Sequence, residues 1–387
     1  MDNNAYKSRG VSSDKEDVHA AIKNQDKGVF PGAFCKLIAD PCADDTYCAA
    51  MHADGAGTKS SLAYVKYKET GDYSPFFDIA QDSCVMNLDD LLCVGAKGPF
   101  LVSNTIGRNA HRVDGKAIAQ VICGYDSFAN KMKEFGIDLV LSGGETADVG
   151  DLVSTLICDS TFFARIKRDE VIDLDNVRAG DVIVGFASFG KALYEDKYNS
   201  GIGSNGLTAA RHLVFSPYYR EKYPESYSDT VEKSLVYCGK HLLSDNLPGT
   251  DITLGEAVLS PTRTYAPLIK AIVEKYGKDI HGLVHCTGGG QTKCGHFGKN
   301  IHYIKDNLFS CPLFELIASE GAVEQKEMYK VFNMGHRMEA FVPESIANGL
   351  IDEAYKLGID AKIVGRCEKS DGKNKVTVID KGQTFEY

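Results

Sequence analysis

No apolar run among the 387 residues approaches the length of a membrane span, about 20 residues. The opening Met1-Asp2-Asn3-Asn4-Ala5-Tyr6-Lys7 is polar and lacks the apolar stretch of a secretory signal, so a cytoplasmic protein with no membrane partner is expected. Positive charge is in the minority. The 43 Lys and Arg against 53 Asp and Glu leave a net charge of −10, which argues against nucleic acid as the main partner. The 12 cysteines contain no C-x-x-C pair. Several (Cys84, Cys93, Cys123, Cys158) sit in apolar contexts, so buried reduced thiols are expected and no metal is assigned to sulfur. Also missing are a G-x-x-x-x-G-K-[ST] phosphate loop, an H-E-x-x-H pair, a Ser-His-Asp nucleophile elbow, and a G-x-G-x-x-G turn between strand and helix.

What is present centres on His52-Ala53-Asp54-Gly55-Ala56-Gly57-Thr58-Lys59, which follows a short apolar strand. Glycine lets backbone amides approach a ligand with no Cβ in the way. Lysine is a compact charge suited to phosphate. Asp54 offers the oxygen ligands a hard divalent cation prefers. The same residues also read as a plain glycine turn capped by a solvated lysine. Asp82 and Asp89 are seven apart on a helix expected over residues 76–96, so the two share a face. With Asp54, Asp90 and Glu145 they either converge on a cation or stand as solvated acids. Ser142-Gly143-Gly144-Glu145-Thr146 is expected to end a strand, where α/β sheets commonly open a ligand crevice. Gly201-Ile202-Gly203-Ser204-Asn205-Gly206 precedes a helix whose N-terminus can receive a phosphate. Thr287-Gly288-Gly289-Gly290-Gln291, with Lys293 nearby, has the same logic.

The length predicts two domains. A charged stretch from Lys167 to Arg178 marks the boundary, dividing the chain into 1–172 and 173–387. Both halves use strands, glycine loops and helices, so the fold class is α/β (α+β), with a mixed sheet in the first half. Strands flank the acidic glycine stretch over 35–64, and helices are expected from Asp114 to Phe135 and from Leu259 through Val273. Residues 216–256 are polar and tyrosine-rich, an insertion or long connection.

Taken in order, these motifs resemble the phosphoribosylformylglycinamidine cyclo-ligases, the aminoimidazole ribonucleotide synthetases of purine synthesis. The likeness runs nearly end to end, through Tyr6-Lys7-Ser8-Arg9-Gly10-Val11, Asp54-Gly55-Ala56-Gly57-Thr58-Lys59, Met86-Asn87-Leu88-Asp89-Asp90, Gly143-Gly144-Glu145-Thr146-Ala147-Asp148, Ser204-Asn205-Gly206, Pro261-Thr262-Arg263, Thr287-Gly288-Gly289-Gly290 and Phe332-Asn333-Met334-Gly335. It implies a two-domain AIR synthase-like fold whose first domains pair their sheets in a homodimer, with ATP in a groove at that pairing. The implied reaction is ATP-driven ring closure on a phosphorylated ribonucleotide through an iminophosphate. By the resemblance, Asp54, Asp82 and Asp90 would hold Mg2+. Lys23, Gly55, Gly57, Thr58, Lys59, Gly143, Gly144 and Thr146 would bind ATP. Glu145, Ser204, Asn205, Gly288 and Gly289 would face the substrate, with Glu145, Asn205 and Lys59 catalytic. The chain departs from the pattern at Gly203, where many members carry His, and over Gln291–His296. Related readings are a thiamine-monophosphate kinase-like or selenophosphate synthetase-like phosphotransferase, and a non-catalytic nucleotide-binding homologue.

Overall fold

The computed structural model describes residues 5–11, 16–321 and 323–387. Its first half comprises α1 (Glu16–Ile22), β1 (Ile38–Ala39), β2 (Tyr47–Gly55), α2 (Lys59–Thr70), α3 (Ser74–Leu92), β3 (Phe100–Arg108), α4 (Gly115–Glu134), β4 (Leu139–Asp148) and β5 (Leu156–Lys167). The five strands form one mixed sheet in the order β1-β2-β5-β3-β4. Only β3 and β4 run parallel, with α4 as the crossover that parallel pairing requires.

Strict alternation along β5 sets the sheet's two faces. Leu156, Cys158, Ser160, Phe162, Ala164 and Ile166 are buried, while the residues between them are open or half-open. The buried set packs under α2 and α3; no described element covers the opposite face. In α3 every residue from Asp82 to Leu92 is buried. Such a helix belongs in the middle of a molecule. It packs on the sheet beside α4, whose Tyr125 also reaches Ser160 of β5 at 2.7 Å, and its C-terminal half meets the second half of the chain.

That second half contains β6 (Asp181–Ala187), β7 (Phe189–Gly190), β8 (Asn199–Ser200), α5 (Leu207–Val214), α6 (Pro217–Lys222), α7 (Leu254–Val258), α8 (Ala266–Tyr276), β9 (Gly282–His285), β10 (Ile301–Lys305), α9 (Pro312–Gly321), α10 (Gln325–Val331), β11 (His336–Pro343), α11 (Glu344–Lys356), β12 (Ala361–Lys369), β13 (Lys375–Asp380) and β14 (Gln383–Glu386). Seven of these strands form a second sheet, β14-β13-β10-β12-β6-β11-β9, and β7 and β8 form a small ribbon.

Three local expectations change. The segment after Gly57 is helix α2, not a strand. Its run Leu62-Ala63-Tyr64-Val65 is buried throughout, and so short an apolar run has no period to distinguish the two. Ser142–Thr146 lies inside β4 instead of ending it, because Gly143 at φ +99° takes up a register shift against β3. The helix expected from Leu259 begins at Ala266. Thr262 and Thr264 are bonded instead to acids of α3.

Residues 216–256 form the short helix α6, two 3-10 turns and the start of α7, and strap α2. Tyr64 Oη donates to Glu225 at 2.6 Å. Glu69 receives Lys222 Nζ at 2.9 Å and the hydroxyls of Tyr218 and Tyr223 at 3.2 and 2.5 Å.

Candidate functional site

The site starts where β2 runs out. Gly55 sits opposite Asp159 of β5, and a Cβ there would lie 1.7 Å from the Asp159 carboxylate and 2.8 Å from the fixed Cys158 carbonyl, so the backbone favours glycine. Gly57 follows at φ +59°, exposed and with open space around it. The backbone then enters α2 at Thr58, whose hydroxyl meets that of Thr208 at 2.8 Å. Thr208 belongs to the first turn of α5. Two helix N-termini from the two halves of the chain thus face one another, each behind a glycine bend, and such ends favour anions.

On the α5 side, Gly206 has φ +79° and a Cβ there would meet the Phe332 ring at 2.4 Å. Gly290 is likewise pressed against the carbonyls of Tyr329 and Phe332. Gln291 donates to the carbonyls of Asn333 (2.5 Å) and His336 (3.0 Å), so the Gly288–Gly290 and Phe332–Gly335 motifs form one packed unit. The Asn205 amide nitrogen lies 3.7 Å from where a Gly288 Cβ would stand. Ser204 Oγ is buried with no hydrogen-bond partner among the described residues, so its hydroxyl can still bond a polar ligand. A Cβ at Gly203 would only graze Arg337, at 3.6 Å.

The register of the first sheet aligns a second group. Gly55, Asp159, Thr105 and Glu145 occupy one row across β2, β5, β3 and β4, on the open face. Gly143, Gly144, Glu145 and Thr146 are all exposed along the edge strand. A Cβ at Gly144 would strike Asn104 at 2.3 Å. Asp54, also exposed, is close enough to Asp159 to raise its carboxyl, an effect second to that of burial. Asp159 has no counterpart among the residues singled out by motif. Its signal in the sequence is only an outward position on an alternating strand.

The α3 acids differ from expectation. Asp82 is fully buried and accepts from Lys59 Nζ at 2.5 Å and from the Thr262 amide and hydroxyl at 2.8 and 2.5 Å. Lys59 also donates to the Ser260 carbonyl at 2.7 Å, so its ammonium anchors the start of α2 to the second half instead of reaching into open space. Asp89 accepts from Thr264 Oγ1 and the Tyr265 amide, and burial pushes its carboxyl up to about 7. Asp90 lies between His285 Nδ1 (2.7 Å) and His52 Nε2 (3.2 Å). Burial acts to raise its carboxyl, but the two imidazoles outweigh that and hold it well below the carboxylate range. Burial lowers His285 to about 4 against the pull of Asp90.

Three acids of one helix therefore join the halves of the chain. The expected convergence of Asp54, Asp82 and Asp90 on one cation is not seen, and no metal-competent cluster of three His, Cys, Asp or Glu occurs among the described residues. The reason is chemical: the oxygens of Asp82 and Asp90 already face an ammonium, hydroxyl, amide or imidazole, except for Asp82 Oδ2, which is buried and unpartnered. Asp54 is exposed; its Oδ1 accepts the Gly55 amide at 2.7 Å, and Oδ2 keeps lone pairs suited to a hard cation. Lys23 is exposed just past α1.

The family model described as AIR synthase related protein, N-terminal domain, matches residues 26–164, and that of the C-terminal domain matches residues 178–378. A phosphoribosylformylglycinamidine cyclo-ligase of Methanocaldococcus jannaschii is 30% identical over 368 residues, 93% of this chain and 91% of that protein. Among solved structures, the hydrogenase maturation protein HypE in complex with ATP aligns with a TM-score of 0.56 at 14% identity, covering 87% of this chain and 84% of that one. T. maritima PurL complexed with ADP aligns with a TM-score of 0.55 at 14% identity. That match covers 99% of this chain and 49% of the other, so the chain spans about half the length of PurL. At these identities the structural likeness speaks to the fold, a two-domain mixed α/β architecture.

Proposed function

The chain belongs to the AIR synthase related protein family, and from that premise we propose that it uses ATP to close formylglycinamidine ribonucleotide to aminoimidazole ribonucleotide, releasing ADP and phosphate. The observation that carries this reading is the Thr58–Thr208 contact, which sets the glycine bends of both halves around one space. In this reading Gly55 leaves room for the triphosphate to approach the backbone, the amides of Gly57 and Thr58 cradle it, and Gly143, Gly144 and Thr146 lie along the nucleotide. Lys59 acts by fixing that bend. Ser204, Asn205, Gly288 and Gly289 receive the ribonucleotide, and Glu145 orients its reacting end. Mg2+, when bound, would be held by the exposed carboxylate of Asp54 and would neutralise phosphate charge.

The substrate's amide oxygen is a poor leaving group. Transfer of the γ-phosphoryl group to that oxygen gives an iminophosphate; the amidine nitrogen then attacks the same carbon and phosphate departs. The chain's part is to position the two reactants and exclude water. We assign 1–172 to nucleotide binding and dimer formation and 173–387 to the ribonucleotide. Two copies would pair their open sheet faces, setting the Glu145 row beside the partner subunit.

The test is phosphate release from ATP with formylglycinamidine ribonucleotide, with thiamine monophosphate, with selenide and with no acceptor. Ring closure and phosphate release should appear together with the first alone; equal release under all four conditions would refute the assignment. Asp54→Asn should mainly raise KM for ATP, by about tenfold. Glu145→Gln should mainly lower kcat, by about a hundredfold, the scale of losing one positioned polar group. Full steady-state activity in either variant would remove its role.

A further inference from the structure

On the helical side of the first sheet, away from its open face, lies a cavity of about 140 Å³ that the proposed reaction does not use. Phe77 and Asp78 of α3, Ser127 and Phe128 of α4, and Tyr194 and Tyr198 from the β7–β8 connection line it. Lys131 and Lys197 stand at its mouth, Lys197 exposed and Lys131 paired with exposed Asp196 at 3.2 Å.

Asp78 is the exception on its helix. Asp82, Asp89 and Asp90 are each held by several donors, whereas the half-buried Asp78 carboxylate has no hydrogen bond or ion pair among the described residues. Burial, then the nearby charge of Asp82, raises its carboxyl to about 7. The hydroxyls of Ser127 and Tyr198 are also without partners among the described residues. Half-buried polar groups left this way have donors and acceptors to offer a ligand.

The charges narrow the ligand. A simple anion would meet the unpaired carboxylate, and a simple amine would meet the lysines. A flat ring with an amino group at one end and a phosphate at the other satisfies both, with aromatic side chains along its faces. We propose that this cavity binds a nucleoside monophosphate, with its base inward at Asp78 and its phosphate at Lys131 and Lys197.

The occupant would touch the catalytic half of the molecule through few steps. Gln81, also in the lining, donates to the Thr262 carbonyl at 2.8 Å; Thr262 donates to Asp82, and Asp82 holds Lys59 at the nucleotide bend. Binding should therefore shift KM for ATP more than kcat.

The experiment is calorimetric titration of the full chain with AMP while a saturating nonhydrolysable ATP analogue fills the bend at Gly55–Lys59. One AMP per chain is expected. Asp78→Asn and Lys197→Glu should each weaken it at least tenfold, Ser127→Phe should abolish it by filling the cavity, and adenosine should bind at least tenfold more weakly than AMP. Absence of AMP binding by the unaltered chain overturns the proposal, as does undiminished binding by either Asp78→Asn or folded Ser127→Phe. Should Ser127→Phe fail to fold, Asp78→Asn and Lys197→Glu decide. The assay reads binding without turnover, so it stays informative even if the ring-closure reading fails.

Discussion

His212 on α5 is buried, and its Nδ1 accepts the Tyr237 amide at 3.2 Å. Burial, reinforced by Arg211 and Arg9, lowers its pKa from 6.5 to about 2. The folded state thus holds the ring neutral where the unfolded chain would protonate it. Its contribution is complete above pH 6.5 and is lost as pH falls from there toward about 2, at about 1.4 kcal/mol per pH unit. His212→Gln removes this dependence. The stability gap between the unaltered chain and His212→Gln in urea unfolding should shrink by about 2 kcal/mol between pH 7 and pH 5. A constant gap would show that the ring is not kept neutral. At this scale the motif residues were legible by type but not by duty. Lys59 reads as a phosphate ligand until Asp82, 23 positions on, is found taking its charge at 2.5 Å. Asp159 carries no motif at all and is placed beside Gly55 only by strand register.

Among the elements, the 216–256 strap shows how a long segment can fix a bend it does not touch. Residues 216–256 hold α2 through Glu69 and Tyr64, and α2 begins at the Gly55–Lys59 bend. Glu69 is only 21% exposed, so its loss leaves two tyrosine hydroxyls and Lys222 short of an acceptor. Glu69→Gln should cost about 1–2 kcal/mol in urea unfolding, a charge-assisted network discounted for the half-exposed lysine. Tyr223→Phe should cost less, about 1 kcal/mol. No change in either would mean the strap rests on apolar packing alone. Strongly periodic elements were legible from sequence, such as α4, expected over 114–135 and found as Gly115–Glu134. α2 was not, because its buried residues run consecutively. The β4 glycines were misplaced because Gly143 absorbs a register shift that only pairing with β3 reveals.

For the molecule as a whole, the open sheet face is the feature most in need of a partner. Met51 is 70% exposed and Leu101 43%, and the register sets them in one row with Phe163 and Val140. An apolar row of this kind on a sheet face marks an interaction surface. Under the proposed pairing, Leu101→Asp places a charge in its middle, and dimer dissociation measured by light scattering should rise in Kd by about a hundredfold, roughly 3 kcal/mol. An unchanged dimer would place the interface elsewhere, and a monomeric unaltered chain would rule out the pairing itself.

The sequence by itself determined the chemistry available: acids, glycine bends and a lysine in a family order, and two α/β halves from length and alternation. Those properties are local, set by side-chain type and by periods of two or of about 3.6 residues. Tertiary structure alone decided which acids stay open and which become joints between the halves. That choice depends on what each carboxylate meets across 175 to 195 residues of chain, as Asp89 meets Thr264 and Asp90 meets His285. Such distant partners leave no spacing to read, since burial and hydrogen bonding are settled only when the two sheets close on α3.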